Sequence, residues 1–264
     1  MPVVRELYVD EDTFIHRLDP RVKIISVILS MILGVLLHDV LSLFLFYCFL
    51  ISLMVWSKVG WKNFIFGVKT IAPVTILIFV LSPISFPGGE PVIAVLGPLT
   101  ISLQSFLKGA EFVLRINTMA FSVYFLLFTT SQRDLVYGLV KMGLPYNYGL
   151  TLTMALRYIP TFGAMIGMIT DSQKARGLEL EKGNFLRKAR KYVAVAAPTM
   201  INALRMADQL SIAIASRGFG AKAERTFFRE LRVSKLDIVT FVLVIIVFIM
   251  IVLFYCMGVR LFNI

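Results

Sequence analysis

From Leu236 to Met257 the chain runs for more than 20 residues through almost unbroken apolar side chains. No other feature restricts the fold as much. A helix of about 20 apolar residues matches the hydrocarbon thickness of a bilayer. Four more apolar runs precede it, at Ile24–Leu37, Val40–Trp56, Phe64–Leu81 and Leu103–Thr130. Hydrophobic residues make up 58% of the 264 and charged residues only 16%. A soluble domain carries about a quarter charged residues. The runs are continuous, whereas a membrane barrel alternates over segments of about 10 residues. The expected class is therefore an all-α polytopic membrane protein with about five transmembrane helices.

The order of the runs suggests a topology. Residues 1–23 are polar and show no secretory signal pattern. Asp19-Pro20 suits a helix start, with Asp as cap and Pro in the first turn. Arg5, Arg17, Arg21 and Lys23 favour a cytoplasmic N-terminus. Ile24–Leu37 is short for a crossing, so either the bilayer thins locally or Arg21 and Lys23 snorkel. His38-Asp39 separates it from Val40–Trp56, which reads as the second arm of a tight hairpin. Trp56 and Trp61, with Lys58 and Lys62, mark a cytoplasmic interface. Phe64–Leu81 then crosses outward, with a kink expected at Pro73. The turn-rich stretch Pro83–Ser102 holds one acid and no base. Val92–Leu96 and Leu99–Ser102 within it are placed to pair as an external hairpin. Leu103–Thr130 carries Lys108, Glu111 and Arg115. Lys108 and Glu111 are spaced to pair. Arg115 is either functional or a packed structural charge.

The character changes after residue 130. Residues 131–235 hold 17 Lys or Arg against 7 Asp or Glu, nearly the whole of the +11 net charge. Nucleic acid does not explain this excess, because the basic residues alternate with membrane-grade apolar stretches. Asp134–Met142 is amphipathic and suits a helix lying on the inner membrane face. Asn147–Ala175 and Phe185–Arg217 read as two long helices, with Pro160 inside the first and Pro198 bending the second. A charged linker over Glu179–Lys191 includes Arg187, Lys188, Arg190 and Lys191, a headgroup-facing patch. Lys222–Lys235 is a second basic connection. The divisions are 1–130, an N-terminal segment with four transmembrane helices; 131–235, a cytoplasmic-side module of one short and two long crossing helices; and 236–264, the last crossing.

The two long helices share one ending. Ala175-Arg176-Gly177 closes the first and Ser216-Arg217-Gly218 the second. Glycine supplies the left-handed conformation that ends helices, so each delivers one arginine to a helix tip. Ala203, Ala207, Ser211 and Ala215 lie four apart and form a stripe of small residues. Gly163 and Gly167 give the first helix a matching close-approach spacing. Arg205, Asp208 and Gln209 fall on another face, spaced to pair. No phosphate-binding loop, HExxH, GxSxG or CxxC is present. Cys48 and Cys256 sit in apolar runs as small hydrophobes. His16 and His38 lack a second ligand in metal-type spacing. No catalytic, cofactor-binding or metal-ligating residue is expected, and no cofactor.

These motifs resemble the transmembrane T component of energy-coupling-factor transporters, the ABC-type importers of vitamins and transition-metal ions. The residues that carry the likeness are Leu18-Asp19-Pro20-Arg21-Val22-Lys23, Ala155-Leu156-Arg157-Tyr158-Ile159-Pro160, Gln173-Lys174-Ala175-Arg176-Gly177, and Ala203–Gly218. The second tip departs mildly, with Ser-Arg-Gly where Ala-Arg-Gly is common. The resemblance implies a non-catalytic coupling subunit in a prokaryotic cell membrane. It implies that two ABC-type ATPase subunits dock at residues 175–177 and 216–218, and that ATP-driven closure moves the tips. A separate substrate-binding membrane subunit, the S component, would then be tilted to release its cargo. Met142, Met154, Met165 and Met168 offer an adaptable surface for that partner, or else fill core. A self-sufficient permease is the rival reading, with Arg115 and Glu111 as its only core. A membrane-embedded enzyme is a weaker rival.

Overall fold

The computed structural model describes residues 8, 13–85, 92–96, 99–179, 184–220 and 234–256. Its helices are α1 (Phe14–Arg17), α2 (Pro20–Leu36), α3 (Val40–Trp56), α4 (Trp61–Ser85), α5 (Leu103–Thr129), α6 (Gln132–Lys141), α7 (Tyr146–Ala175), α8 (Phe185–Ser216) and α9 (Lys235–Cys256). β1 (Val92–Leu96) and β2 (Leu99–Ser102) pair antiparallel, with Leu96 opposite Leu99. The fold is an all-α polytopic membrane protein with one small hairpin between two helices. Trp61–Ser82, Leu103–Thr129, Tyr146–Ala175 and Leu236–Leu253 are long and apolar enough to cross a membrane, and Val40–Trp56 is a shorter apolar helix. The inclusion of Tyr146–Ala175 differs from the sequence reading, which laid that segment on the inner side; it is the least apolar of the four. The basic connection at 222–233, Arg5, Met257 and parts of the turn-rich stretch at 86–91 and 97–98 lie outside the described residues.

Local chemistry accounts for several of the helix boundaries. Asp19 caps α2, accepting the Arg21 backbone N–H at 2.9 Å, and Pro20 occupies the first turn. Ser102 and Ser131 cap α5 and α6 in the same way. Each satisfies a backbone donor that the helix leaves without a partner. α4, α7 and α8 run on through Pro73, Pro160 and Pro198. α8 begins at Phe185, so Lys188, Arg190 and Lys191 stand on its first two turns and not on a linker.

Of the described residues, those up to Gly149 and from Ser234 onward form one compact unit, and Leu150–Gly220 forms the other. In the first unit α5 is the hub and packs on α2, α3 and α4. Met54, Val59, Ile71, Phe121 and Phe128 make its core. Tyr47 meets Phe121 edge-on at 5.4 Å, and Tyr124 stacks on Phe128 at 5.7 Å. The inner face of α5 is small and hydroxylated: Ser105, Gly109, Thr118, Ser122 and Thr129 are buried. Thr118, Ser122 and Thr129 donate to carbonyls one turn back, so their hydroxyls cost nothing unsatisfied. A Cβ at Gly109 would overlap Ser82. Small residues are what lets two membrane helices come that close.

The second unit buries far less. Gly167 and Val195 are its fully buried positions among the described residues. Large apolar side chains face outward on both helices, with Met168 65% and Leu204 66% exposed.

Candidate functional site

The two helix tips are built alike down to their hydrogen bonds. At the end of α7, Gly177 adopts φ +87°, its N–H donates to the Lys174 carbonyl at 2.9 Å, and the Leu178 N–H donates to the Gln173 carbonyl at 3.0 Å. At the end of α8, Gly218 adopts φ +77°, its N–H donates to Ala215 at 2.9 Å, and the Phe219 N–H donates to Ile214 at 3.2 Å. Both are Schellman endings, which satisfy carbonyls that the helix leaves open. Arg176 and Arg217 hold the same position in the two motifs, one residue before the glycine, and both are exposed. A Cβ at either glycine would touch nothing within 4 Å, so backbone conformation alone demands glycine. α6 ends in the same motif around Gly143, with Met142 in place of the arginine. The ending is therefore generic, and the arginine is what sets the two tips apart.

Behind the tips the small-residue stripe is open. Ala203 is half-buried, while Ala207, Ser211, Ala215 and the flanking Ser216 are exposed. Gly163 is exposed with nothing within 4 Å of a Cβ, and Gly167 is buried. Met168 and Met142 are exposed, and Met154 and Met165 half-buried. Arg205 and Asp208 are exposed and form no ion pair among the described residues. That corrects the expected pairing; in water such a pair contributes only a few tenths of a kcal/mol, roughly 0.2–0.5. No group of His, Cys, Asp or Glu is arranged to hold a metal among the described residues.

The structure resolves the role of Arg115. Its guanidinium donates to Glu111 Oε1 at 2.6 Å and to the Leu37 carbonyl at 3.0 Å. Leu37 is the C-cap of α2, so the arginine ties α5 to the end of α2. Glu111, which the spacing had placed against Lys108, pairs with Arg115 one turn later. Charges this deep in an apolar bundle are tolerated when paired and bonded to backbone. An open cleft of about 700 Å³ lies alongside, lined by His38, Asp39, Phe44, Gln104, Lys108 and Glu111.

Sequence reading missed a second polar cluster. Lys23 does not snorkel; it is 3% exposed. Its ammonium donates to the His16 carbonyl at 3.1 Å and the Thr129 carbonyl at 2.8 Å. Asp237, 4% exposed, accepts the Asp19 N–H at 3.0 Å and the Ser234 N–H at 2.7 Å. Burial pushes the Lys23 ammonium down to about 8, against the pull of Asp134, Asp237 and Asp19. Lys23 precedes the apolar run of α2, and carbonyls within reach outcompete a stretch toward water. The available signal was Asp237 itself, a lone acid heading the most apolar run of the chain.

Residues 11–227 match the family model described as "Cobalt transport protein", a span that includes both tips. The energy-coupling factor transporter transmembrane protein EcfT of Thermosediminibacter oceani is 31% identical over 243 residues, covering 89% of this chain and 91% of that one. The proteins of the same name from Clostridium kluyveri and Listeria innocua are 33% identical over 244 residues and 32% identical over 235. They cover 88% and 85% of this chain, and 89% and 88% of their own lengths. With a match of this extent running through both arginine tips, the chain belongs to the family of energy-coupling factor transporter transmembrane components.

Proposed function

We propose that this chain is the non-catalytic coupling subunit of an ATP-driven importer of a vitamin or transition-metal ion. Two ABC-type ATPase subunits dock on Arg176 and Arg217, with Ala175, Gly177, Ser216 and Gly218 shaping the two tips. A separate substrate-binding membrane subunit takes up the motion within the bilayer. The segment 131–235 is the module that transmits it, from a cytoplasmic side that also holds the N-terminus. Gly163 and Gly167 on one helix, and Ala203, Ala207, Ser211 and Ala215 on the other, let the two rods slide closely as the tips move. The observation that carries this reading is the duplicated tip: one Schellman ending, used twice, with an exposed arginine at the same position each time. A guanidinium suits the task because its planar fork grips carboxylates or helix-end carbonyls at several points.

The permease reading loses ground for a specific reason. Arg115 and Glu111, its only core, are bonded to each other and to a backbone carbonyl. Co-expression with candidate ABC-type ATPases, followed by affinity purification in detergent, tests the proposal. The wild-type chain should retain both ATPases. Arg176→Glu with Arg217→Glu should release them, since reversing a charge in a docked pair costs about 2–5 kcal/mol per site. ATPases that remain bound to the double variant would sink the docking proposal. Uptake by the chain alone in liposomes would establish the permease instead.

A further inference from the structure

The buried Lys23 bonds two segments to α2, and a third is bonded to the cap of the same helix. Its ammonium holds the carbonyl of His16 in α1 and that of Thr129 at the end of α5. Asp237, at the head of α9, grips the backbone of Asp19, the α2 cap. Asp134, in the first turn of α6, contributes to the field that keeps Lys23 charged. It accepts a hydrogen bond from the Ser131 hydroxyl at 2.8 Å, and that hydroxyl in turn accepts the Asp134 N–H. α6 also lies directly on α2: a Cβ at Gly138 would approach Pro20 and Ile24 to 3.2 Å.

α6 is the segment through which the chain passes from the α5 hub into the long helix α7. Displacement of α7 that travels along the chain enters the hub there. A root that yielded would absorb the motion instead of passing it on. A buried ammonium bonded to carbonyls of two segments resists yielding, because opening the cluster strands polar groups in an apolar setting.

We propose that Lys23 is a positioning residue: by holding to α2 the Thr129 carbonyl, two residues before the α6 cap Ser131, it fixes the root of α6, so that α6 stays fixed to the apolar-helix unit when the coupling helices are pulled. The pulling itself rests on the function proposed above; the clamp can be judged without it. Nitroxide labels at Arg133→Cys and Val239→Cys, in a Cys48→Ser, Cys256→Ser full-length chain in lipid nanodiscs, report the distance between α6 and α9. Both labelled positions are exposed. With Lys23 present, pulsed dipolar spectroscopy should give one narrow distance. Lys23→Met should broaden it by about 2 Å or more, the scale of a helix shift at an interface, with helicity and monodispersity retained. Should Lys23→Met not fold, Asp237→Asn provides the reading: it removes the charge, keeps an acceptor for Asp19, and should broaden the distance less.

An unchanged width in a folded Lys23→Met or Asp237→Asn chain overturns the proposal. A second arm adds the ATPase partners and ATP. There the distance should stay put in the wild type and shift in Lys23→Met, a response that mere loss of stability would not produce. If the ATPases do not bind, the coupling reading fails, and the nucleotide-free widths still decide the clamp.

Discussion

Arg115 and the pair Arg176 and Arg217 show how differently one side chain is used in the two units. Arg115 has its hydrogen bonds inside its own chain, to Glu111 and to Leu37, and only 17% of its side chain is exposed. Arg176 and Arg217 stand exposed on helix ends whose backbone is already satisfied by the Schellman bonds. The apolar-helix unit turns much of its polar chemistry inward: Lys23, Asp19, Asp237 and the buried hydroxyls of Ser105, Thr118, Ser122 and Thr129 are each hydrogen-bonded within the chain. The long-helix unit presents its polar and apolar groups outward. A charge already bonded at home holds the fold, and a charge held out on a rigid tip is available to something else.

The largest expected effect breaks this comparison most directly. Arg115→Met leaves Glu111 half-buried and uncompensated and should cost about 2–4 kcal/mol in an unfolding titration. Adding Glu111→Gln should recover much of it. If Arg115→Met proves no more destabilising than a tip variant, the distinction between the two kinds of arginine fails.

Next comes a pH effect at Lys23. Its folded pKa, about 8, lies below the ordinary 10.5. Between those values the unfolded chain binds the proton more tightly, so stability should rise with pH across that window. The cost of burying the charge is fully present below about pH 8 and is relieved as the pH climbs. The full gain is on the order of 3 kcal/mol at roughly 1.4 kcal/mol per unit. Lys23→Met should flatten that rise; a rise that persists would show that another group causes it.

Smaller changes sharpen the view of the tips. Gly177→Ala and Gly218→Ala force a Cβ into the left-handed region and should each cost about 1 kcal/mol of helix-end stability. Amide exchange should show that loss confined to the last turn of α7 or α8. The smallest effect is expected for Arg176→Ala and Arg217→Ala, within about 0.5 kcal/mol of wild type by unfolding, because neither side chain is buried.

Much of the architecture was legible because apolar runs and helix punctuation are local. Val40–Trp56 emerged with the boundaries its composition suggested, and Asp19-Pro20 and the two Arg-Gly endings delimit helices as their chemistry requires. The short hairpin from Val92 to Ser102 was visible for the same reason. The four-residue helix α1 was not, since nothing in Phe14–Arg17 carries a periodic signal. The partners of charges were harder to read. Lys23 looked free to snorkel and Glu111 looked set to take Lys108. Two of the carbonyls that the buried groups in fact meet lie far along the chain, 78 residues for Arg115 with Leu37 and 106 for Lys23 with Thr129, while Glu111 finds its guanidinium one helical turn on.

Sequence by itself determined that the chain is a helical membrane protein, where most of its long helices lie, and that two of them finish on an arginine beside a left-handed glycine. Those are consequences of hydrophobic length and of backbone stereochemistry, which act over a few residues. Only the tertiary structure decided which charges are consumed within the fold and which are left on display. That division depends on where distant carbonyls come to lie, and a buried charge is set by all the partners that surround it, not by its neighbours along the chain alone.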